Sequence, residues 1–342
     1  MKLPIDTTGW PPWAATLEPY VEKWGIVLLS AIAVWFAASL LRRLVLLIGK
    51  KALSKDKEFE GSNWDLAASI TRVFALILLS QAFMMGIFAA RDVFLFYVLF
   101  EAMLIPLYFL IGGFGGAQRR YAAVKFLLFS LAGGLIMLVG VVALYFQGPG
   151  GEQAFLTESL TGLDMSTSTE RLIFIAFFIA FAVKVPMFPF HTWLPDAHVQ
   201  APTAASVILA AVMLKMGGYG MLRFNLPLFP DGTEAWAPTV IILSIIGIIY
   251  GALVALVQRD FKKLIAYSSV SHMGFVTLGI FIMNMQGLDG AMMVMLAHGF
   301  NTGALFMIVG VVYERAHTRD IRAFGGLATR MPMWAAYFSL FL

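Results

Sequence analysis

Cysteine is absent from all 342 residues, which excludes thiolate-held iron–sulfur centres, disulfides and Cys-ligated zinc from this chain. Any electron transfer it serves runs elsewhere. Charge is scarce too: Asp, Glu, Lys and Arg make up 13% of the residues against 60% hydrophobic, and the mean hydropathy is +0.83. A soluble core under a polar shell cannot be drawn from that composition. There is no Walker loop, no G-x-G-x-x-G opening a helix and no haem-attachment motif. Short repeats and low-complexity tracts are missing as well. Met1 to Lys23 carries Pro4, Pro11 and Pro12 with mixed charge and no small-residue cleavage site behind a short apolar run, so no removable signal peptide is expected.

What the sequence does have is a series of apolar runs of roughly 20 residues, each long enough to cross about 30 Å of hydrocarbon as helix and without the strict alternation of barrel strands. They fall at about Gly25–Leu47, Ala67–Phe88, Val93–Ile111, Val124–Phe146, Leu172–Phe190, Pro202–Leu222, Ala237–Val257, Leu264–Met283 and Gly290–Tyr313, with another beginning at Trp334. The expectation is an all-α integral membrane protein of about nine or ten transmembrane helices. Short basic loops tend to stay on the cytoplasmic side. One set of alternate connections carries sixteen Lys and Arg, from Arg42 to Lys57, Arg119 to Lys125, Arg259 to Lys263 and Arg315 to Arg330; the other carries only Arg91, Arg171 and Arg223. The net charge of +4 is therefore a topology signal rather than a nucleic-acid footprint. It predicts the N-terminus outside and the 316–331 loop in the cytoplasm. The polar linker KKALSKDKEFEGSNW (Lys50 to Trp64) sets off residues 1–63, one helix and a basic linker, from a membrane domain over 64–342.

A charge at the bilayer midplane costs from about 2.5 kcal/mol upward, so each must be paired, hydrated or functional. Four stand out. Glu101 lies about mid-helix in FLFYVLFEAMLIPLYFLI, with Pro106 beyond it; it is either a structurally paired or protonated carboxylate, or one that loads and releases a proton as a nearby cation moves. Lys184 ends LIFIAFFIAFAVK, and Pro186, Pro189 and Pro195 follow, so the helix should break just past it and leave unpaired carbonyls beside the ammonium. The bland alternative is a lysine snorkelling to the interface. Lys215 sits in a helix rich in small residues, where Gly217, Gly218 and Gly220 are expected to leave room for water or backbone adjustment around the amine; it too could snorkel. His298, with Asn301 and Thr302 within a turn, is suited to passing protons between acids and amines or is simply a hydrogen-bonded core residue. His191 and His198 flank Asp196, but zinc wants three or four ligands and no further one lies nearby, so no metal site is expected. His272, among Ser268, Ser269 and Ser271, reads as polar helix lining; His317 falls in the cytoplasmic loop.

The stretches FAARDVFLFYVLFEAMLIPLYFLIGGFGG, KVPMFPFHTWLPDAHVQAPTAASVILAAVMLKMGGYGMLRF, QRDFKKLIAYSSVSHMGF and AHGFNTGALFMIVGVVYERAHTRDI resemble the antiporter-like subunits of respiratory complex I, most closely the M type, the counterpart of mitochondrial chain 4 of NADH dehydrogenase. The resemblance runs from about Ser80 to Leu342. It implies an antiporter-like bundle with a proline-broken helix, in which Glu101 is the carboxylate of a first half-channel, Lys184 the lysine on the broken helix, Lys215 the connecting lysine and His298 the central relay. Pro186, His191, Asp196 and His272 would support them. It also implies a subunit of NADH:quinone oxidoreductase that couples quinone reduction to proton translocation, with no redox chemistry of its own. NADH, flavin, iron–sulfur clusters and quinone would belong to partner subunits. Expected partners are the other membrane subunits, neighbouring antiporter-like ones above all, and the lipid bilayer, with no nucleic acid; the expected location is the bacterial inner (plasma) membrane. The N-terminal piece does not match the family, and the chain is expected to stop short of the helix that would terminate the second half-channel. Multisubunit cation/proton antiporters and membrane-bound hydrogenases share the helix pattern, and a non-pumping scaffold is the remaining alternative.

Overall fold

The computed structural model describes residues 62–341. The expected span Gly25–Leu47, the basic linker and all but the last two residues of the 1–63 piece lie outside the described residues. The rest is helical, with two isolated bridges, Asp92 to Leu156 and Asp260 to Asp320. In chain order the main helices are α1 (Ser62–Ala89), α2 (Val93–Phe114), α3 (Arg119–Gln147), α4 (Thr167–Lys184), α5 (Trp193–Gln200), α6 (Thr203–Leu228), α7 (Pro230–Leu256), α8 (Phe261–Phe281), α9 (Met285–Ala316) and α10 (Pro332–Phe341). Among the described residues seven helices are long and apolar enough to cross a membrane: α1, α2, α3 and α6 to α9.

Short polar side chains begin several of these helices by accepting from otherwise unpaired first-turn N–H groups. Asp92 accepts from Leu95 N at 2.7 Å, Ser166 from Thr169 N, Asp260 from Lys262 N and Asn284 from Gly287 N. α2 has one irregular residue, Met103, because Pro106 has no N–H to give the Ala102 carbonyl. α7 starts seven residues before the apolar run Ala237–Val257. Pro230 is preset for a first helical position, and the buried Glu170 of α4 reaches across so that its Oε1 accepts from Asp231 N at 2.7 Å and Gly232 N at 3.2 Å. No sequence pattern links a cap to a residue 61 positions earlier. Replacing Glu170 by Ala should lower the unfolding midpoint of the purified protein in detergent by an amount equivalent to about 1–2 kcal/mol, while Glu170→Gln keeps the acceptor and most of the stability. An unshifted Ala variant would mean water caps α7 equally well.

α6 is the central helix: 67% of its most apolar window lies inside the bundle, against 17% for α1. Around it, Phe96 and Phe100 of α2, Phe126 of α3, Phe177 and Phe181 of α4, Trp193 of α5 and Phe224 of α6 form a continuous aromatic core; the Phe96 and Phe224 centroids are 4.5 Å apart and those of Phe126 and Trp193 5.4 Å. The outer faces carry exposed Phe74, Leu128, Ile249 and Phe300, as a bundle solvated by lipid requires.

The two ends of the bundle differ in charge. At one, the loop before α3 meets the end of α5 through Gly116 N to Gln200 O at 2.8 Å, and the loops after α7 and α9 meet through Arg319 to Asp260 at 3.1 Å and Ile321 N to Arg259 O at 2.9 Å. At the other, Arg91 pairs with Glu158 at 2.6 Å, and Thr167 Oγ1 donates to Asp231. Among the described residues, the connections rich in Lys and Arg and those poor in them thus meet at different ends of the bundle.

Candidate functional site

α2 carries Glu101 toward α3, and a glycine makes the space: a Cβ on Gly134 would overlap the Glu101 carboxylate. Neither carboxylate oxygen has a hydrogen-bond partner. Glu101 and Lys184 are close enough for each charge to act on the other but make no direct hydrogen bond. In this conformation the pair is open, with neither group hydrogen-bonded.

Lys184 is fully buried, so it does not snorkel. Its Nζ has no hydrogen-bond partner and lies 4.8 Å from the ring centroid of Phe100 and 6.0 Å from that of Phe126. α4 ends at Lys184, earlier than the apolar run to Phe190, and α5 begins at Trp193. The expected break is there, but three carbonyls of the last turn, those of Phe181, Ala182 and Val183, are paired rather than free. Val185 N donates to Phe181 O, Met187 N to Ala182 O at 2.9 Å, and the Trp193 indole Nε1 to Val183 O at 2.9 Å. The prolines remove donors, yet the chain doubles back and brings others, and a buried carbonyl left alone would cost about 1–3 kcal/mol. The environment of the amine is thus aromatic faces, which attract a cation weakly, plus the Glu101 carboxylate.

Gly217, Gly218 and Gly220 do not open a space for water. A Cβ at Gly217 would come within 2.6 Å of the Phe181 carbonyl and 3.0 Å of Val185 N, one at Gly218 would meet Met295, and one at Gly220 would run into the Phe181 ring. The glycines let α6 lie directly against the end of α4. Contact at backbone distance is what small residues supply in lipid, where apolar burial gives no drive.

Lys215 is buried too, and it does not snorkel: Nζ is 2.6 Å from His298 Nδ1 and 2.7 Å from Ala210 O. The preceding turn, Leu209–Met213, is π-helical. Such wider turns recur at functional positions, and this one presents the Ala210 carbonyl to the amine five residues on. Across the contact a proton has two places to sit: an ammonium donating to Nδ1, or a neutral amine accepting from an imidazolium Nδ1–H. His298 Nε2 has no protein partner, and the exposed His272 ring of α8 stands edge-on to the His298 ring at 5.6 Å.

The structure thus joins Lys215, His298 and His272 in one cluster and Glu101 with Lys184 in another, linked through the α4 to α6 contact. It separates the two histidines that flank Asp196. His191 lies among Phe188, Tyr250 and Tyr267, whereas His198 stacks on Phe306 at 4.6 Å. Asp196 is paired with Lys125 at 2.7 Å. No group of three or more His, Asp or Glu gathers among the described residues. Pro186 lies in the turn between α4 and α5. Sequence reasoning missed Gly134, Trp193 and Lys262. Lys262 looked like one more basic residue at a span end, but it is buried, with Nζ donating to Ala201 O at 2.8 Å and lying 3.3 Å from Ser206 Oγ.

Comparison with known proteins matches residues 90–342 to the transmembrane family described as NADH:quinone oxidoreductase/Mrp antiporter. The NADH-quinone oxidoreductase subunit M of Rhodobacter capsulatus is 52% identical over 294 residues, 82% of this chain and 56% of that protein. In the respiratory complex I of Thermus thermophilus solved with bound NADH, a chain 37% identical superposes with a TM-score of 0.73, covering 79% of this chain and 58% of that one. A chain of the Mrp complex from Dietzia sp. DQ12-45-1b shares the fold, with a TM-score of 0.72 at 23% identity over 78% of this chain and 50% of its own. The chain spans about half the length of the curated relatives it matches.

Proposed function

The chain belongs to the transmembrane family of NADH:quinone oxidoreductase and Mrp antiporter subunits, and from that membership and the contact between Lys215 and His298 at 2.6 Å we propose that it is a proton-carrying membrane subunit of an NADH:quinone oxidoreductase. The contact carries the reading. Two titratable groups of different type, buried in the middle of a bilayer-crossing bundle and sharing a short hydrogen bond, are costly to keep and suited to handing over a proton. The open Glu101 and Lys184 pair supplies a second stage. When the two charges close on each other, each stabilises the other's ionised form; when they separate, the carboxylate takes up a proton or the amine gives one away. Alternation between these states loads or empties Lys215, and His298 passes the proton on toward His272.

The energy comes from redox chemistry in partner subunits, which hold NADH, flavin, iron–sulfur clusters and quinone, because this chain has no cysteine to hold a thiolate-bound cluster. The neighbours in the membrane are other antiporter-like subunits. The basic end of the bundle faces the cytoplasm of a bacterial inner membrane, by the charge rule for short loops.

The test is NADH-driven acidification of inverted membrane vesicles that carry the assembled complex with Lys215→Met. Acidification should fall about tenfold while NADH oxidation by a soluble electron acceptor, which bypasses the membrane, stays at the parent rate. Undiminished acidification at equal assembly would remove the proton-carrying role. Normal pumping that needs no co-purifying redox subunits would favour a cation/proton antiporter instead.

A further inference from the structure

We infer that Lys262, Ser206 and His198 form a proton uptake branch from the basic end of the bundle into the cluster of Lys215 and His298. The inference rests on the proton-carrying reading above and extends it to residues outside the proposed relay.

Lys262 lies in the first turn of α8, where Asp260 caps the helix by accepting from its backbone N–H. A lysine there would normally run its chain out to the headgroups. This one turns inward and is 2% exposed, with Nζ on the Ala201 carbonyl and 3.3 Å from the Ser206 hydroxyl. Asp260, two residues before it, pairs with Arg319 at 3.1 Å. Ser206 is itself buried, and its hydroxyl donates to the His198 carbonyl at 3.0 Å. His198 is completely buried with both ring nitrogens free of protein partners, and its ring lies flat on Phe306. Buried imidazoles nearly always satisfy at least one nitrogen; this one offers both. Phe306, on which His198 stacks, belongs to α9, the helix that also carries His298 eight residues earlier, about 12 Å of helix rise away.

The placement follows α6. Ser206 is in its first turns, Ala210 one turn deeper, and Lys215 reaches back to the Ala210 carbonyl, so the path from Ser206 to Lys215 spans about 13 Å of helix rise. The neighbouring wall is α9, which approaches α6 closely: a Cβ on Gly299 would lie 3.1 Å from Ala211 O and one on Gly310 would meet Thr203. The branch therefore runs in the seam between α6, α8 and α9.

In a transfer, the neutral Lys262 amine takes a proton from the aqueous side and becomes an ammonium. It releases that proton to the Ser206 hydroxyl, which turns from the His198 backbone carbonyl and passes its own proton through bridging water to a free nitrogen of the His198 ring. The imidazolium then yields it toward Lys215, and each carrier returns to its starting form. Bridging water covers intervals longer than a hydrogen bond. Asp320, in the adjoining loop, is not a carrier: hydrogen bonds from the Arg322 side chain and backbone hold its carboxyl down, to about 2, and keep it ionised.

Two substitutions separate proton transfer from structural support. Lys262→Arg keeps a cation against Ala201 O, but a guanidinium, with a pKa above about 12, does not release its proton. His198→Phe keeps the flat stacking on Phe306 and removes both nitrogens. Each is introduced into the assembled complex in inverted vesicles beside Glu101→Gln, with subunit content measured. Expected is a fall of about fivefold in NADH-driven acidification for each variant at parental assembly, with Lys262→His, which can still exchange a proton, recovering most of it. If Lys262→Arg and His198→Phe both pump at the parent rate while Glu101→Gln does not, the branch is overturned and the proposed relay stands. If Glu101→Gln pumps normally as well, the proton-carrying reading falls and takes the branch with it. Should Lys262→Arg fail to assemble, His198→Phe decides alone.

Discussion

NADH-driven acidification of inverted vesicles is expected to drop about a hundredfold when Glu101 is replaced by Gln, the lower range of what a positioned proton carrier contributes. The substitution is nearly isosteric and disturbs little, because neither carboxylate oxygen makes a hydrogen bond that an amide would lose. What it removes is the negative charge that acts on Lys184 and the site where a proton can bind. Assembly should therefore remain at the parental level, checked by the amount of this chain that co-purifies with its partners, while pumping and coupled quinone reduction fall together. A variant within about twofold of the parent would show that the carboxylate is structural. Glu101→Asp, which keeps the charge but pulls it back by one methylene, should lie between the two.

The second large effect comes from a residue with no chemistry of its own. Gly134→Ala places a methyl group where the Glu101 carboxylate now sits. The obstacle is the far end of a flexible side chain rather than backbone, so stability should change by less than about 1 kcal/mol. The carboxylate, however, must swing away from its present relation to Lys184, and pumping should fall about thirtyfold, equivalent to about 2 kcal/mol of lost coupling. The discriminating measurement is a double-mutant cycle: in the Glu101→Gln background, Gly134→Ala should cost almost nothing further. If the two losses add in full, Gly134 acts through helix packing and not through the carboxylate.

The two variants also mark where the site was legible in the sequence and where it was not. Glu101, Lys184, Lys215 and His298 could be picked out because ionisable groups in apolar runs are expensive and stand out one by one. The break after Lys184 could be read from Pro186, Pro189 and Pro195, since proline acts on its own backbone. Gly134 is one of 31 glycines, and nothing local distinguishes it. Lys262 was hidden for a different reason: a basic residue at a span end is what topology alone demands, and only its buried amine sets it apart. The carbonyls of the last turn of α4 looked free because their donors, above all the Trp193 indole, return from a part of the chain that a helix pattern cannot place.

The sequence by itself determined that this chain lives in a bilayer as helices, roughly where those helices run, how connections rich and poor in Lys and Arg alternate, and four of the ionisable groups they enclose. All of these follow from short-range rules: the length needed to cross hydrocarbon, the need to satisfy backbone groups internally, and the cost of charge in lipid. Tertiary structure alone decided which charges meet. Lys215 and His298 are 83 residues apart and share a 2.6 Å contact, while Glu101 and Lys184 are neighbours held open. Those distances depend on how closely α6 can approach α4 and α9, which is set by glycine-to-backbone contacts between helices. Periodicity gives a helix a face; only packing fixes the depth and rotation at which that face meets another.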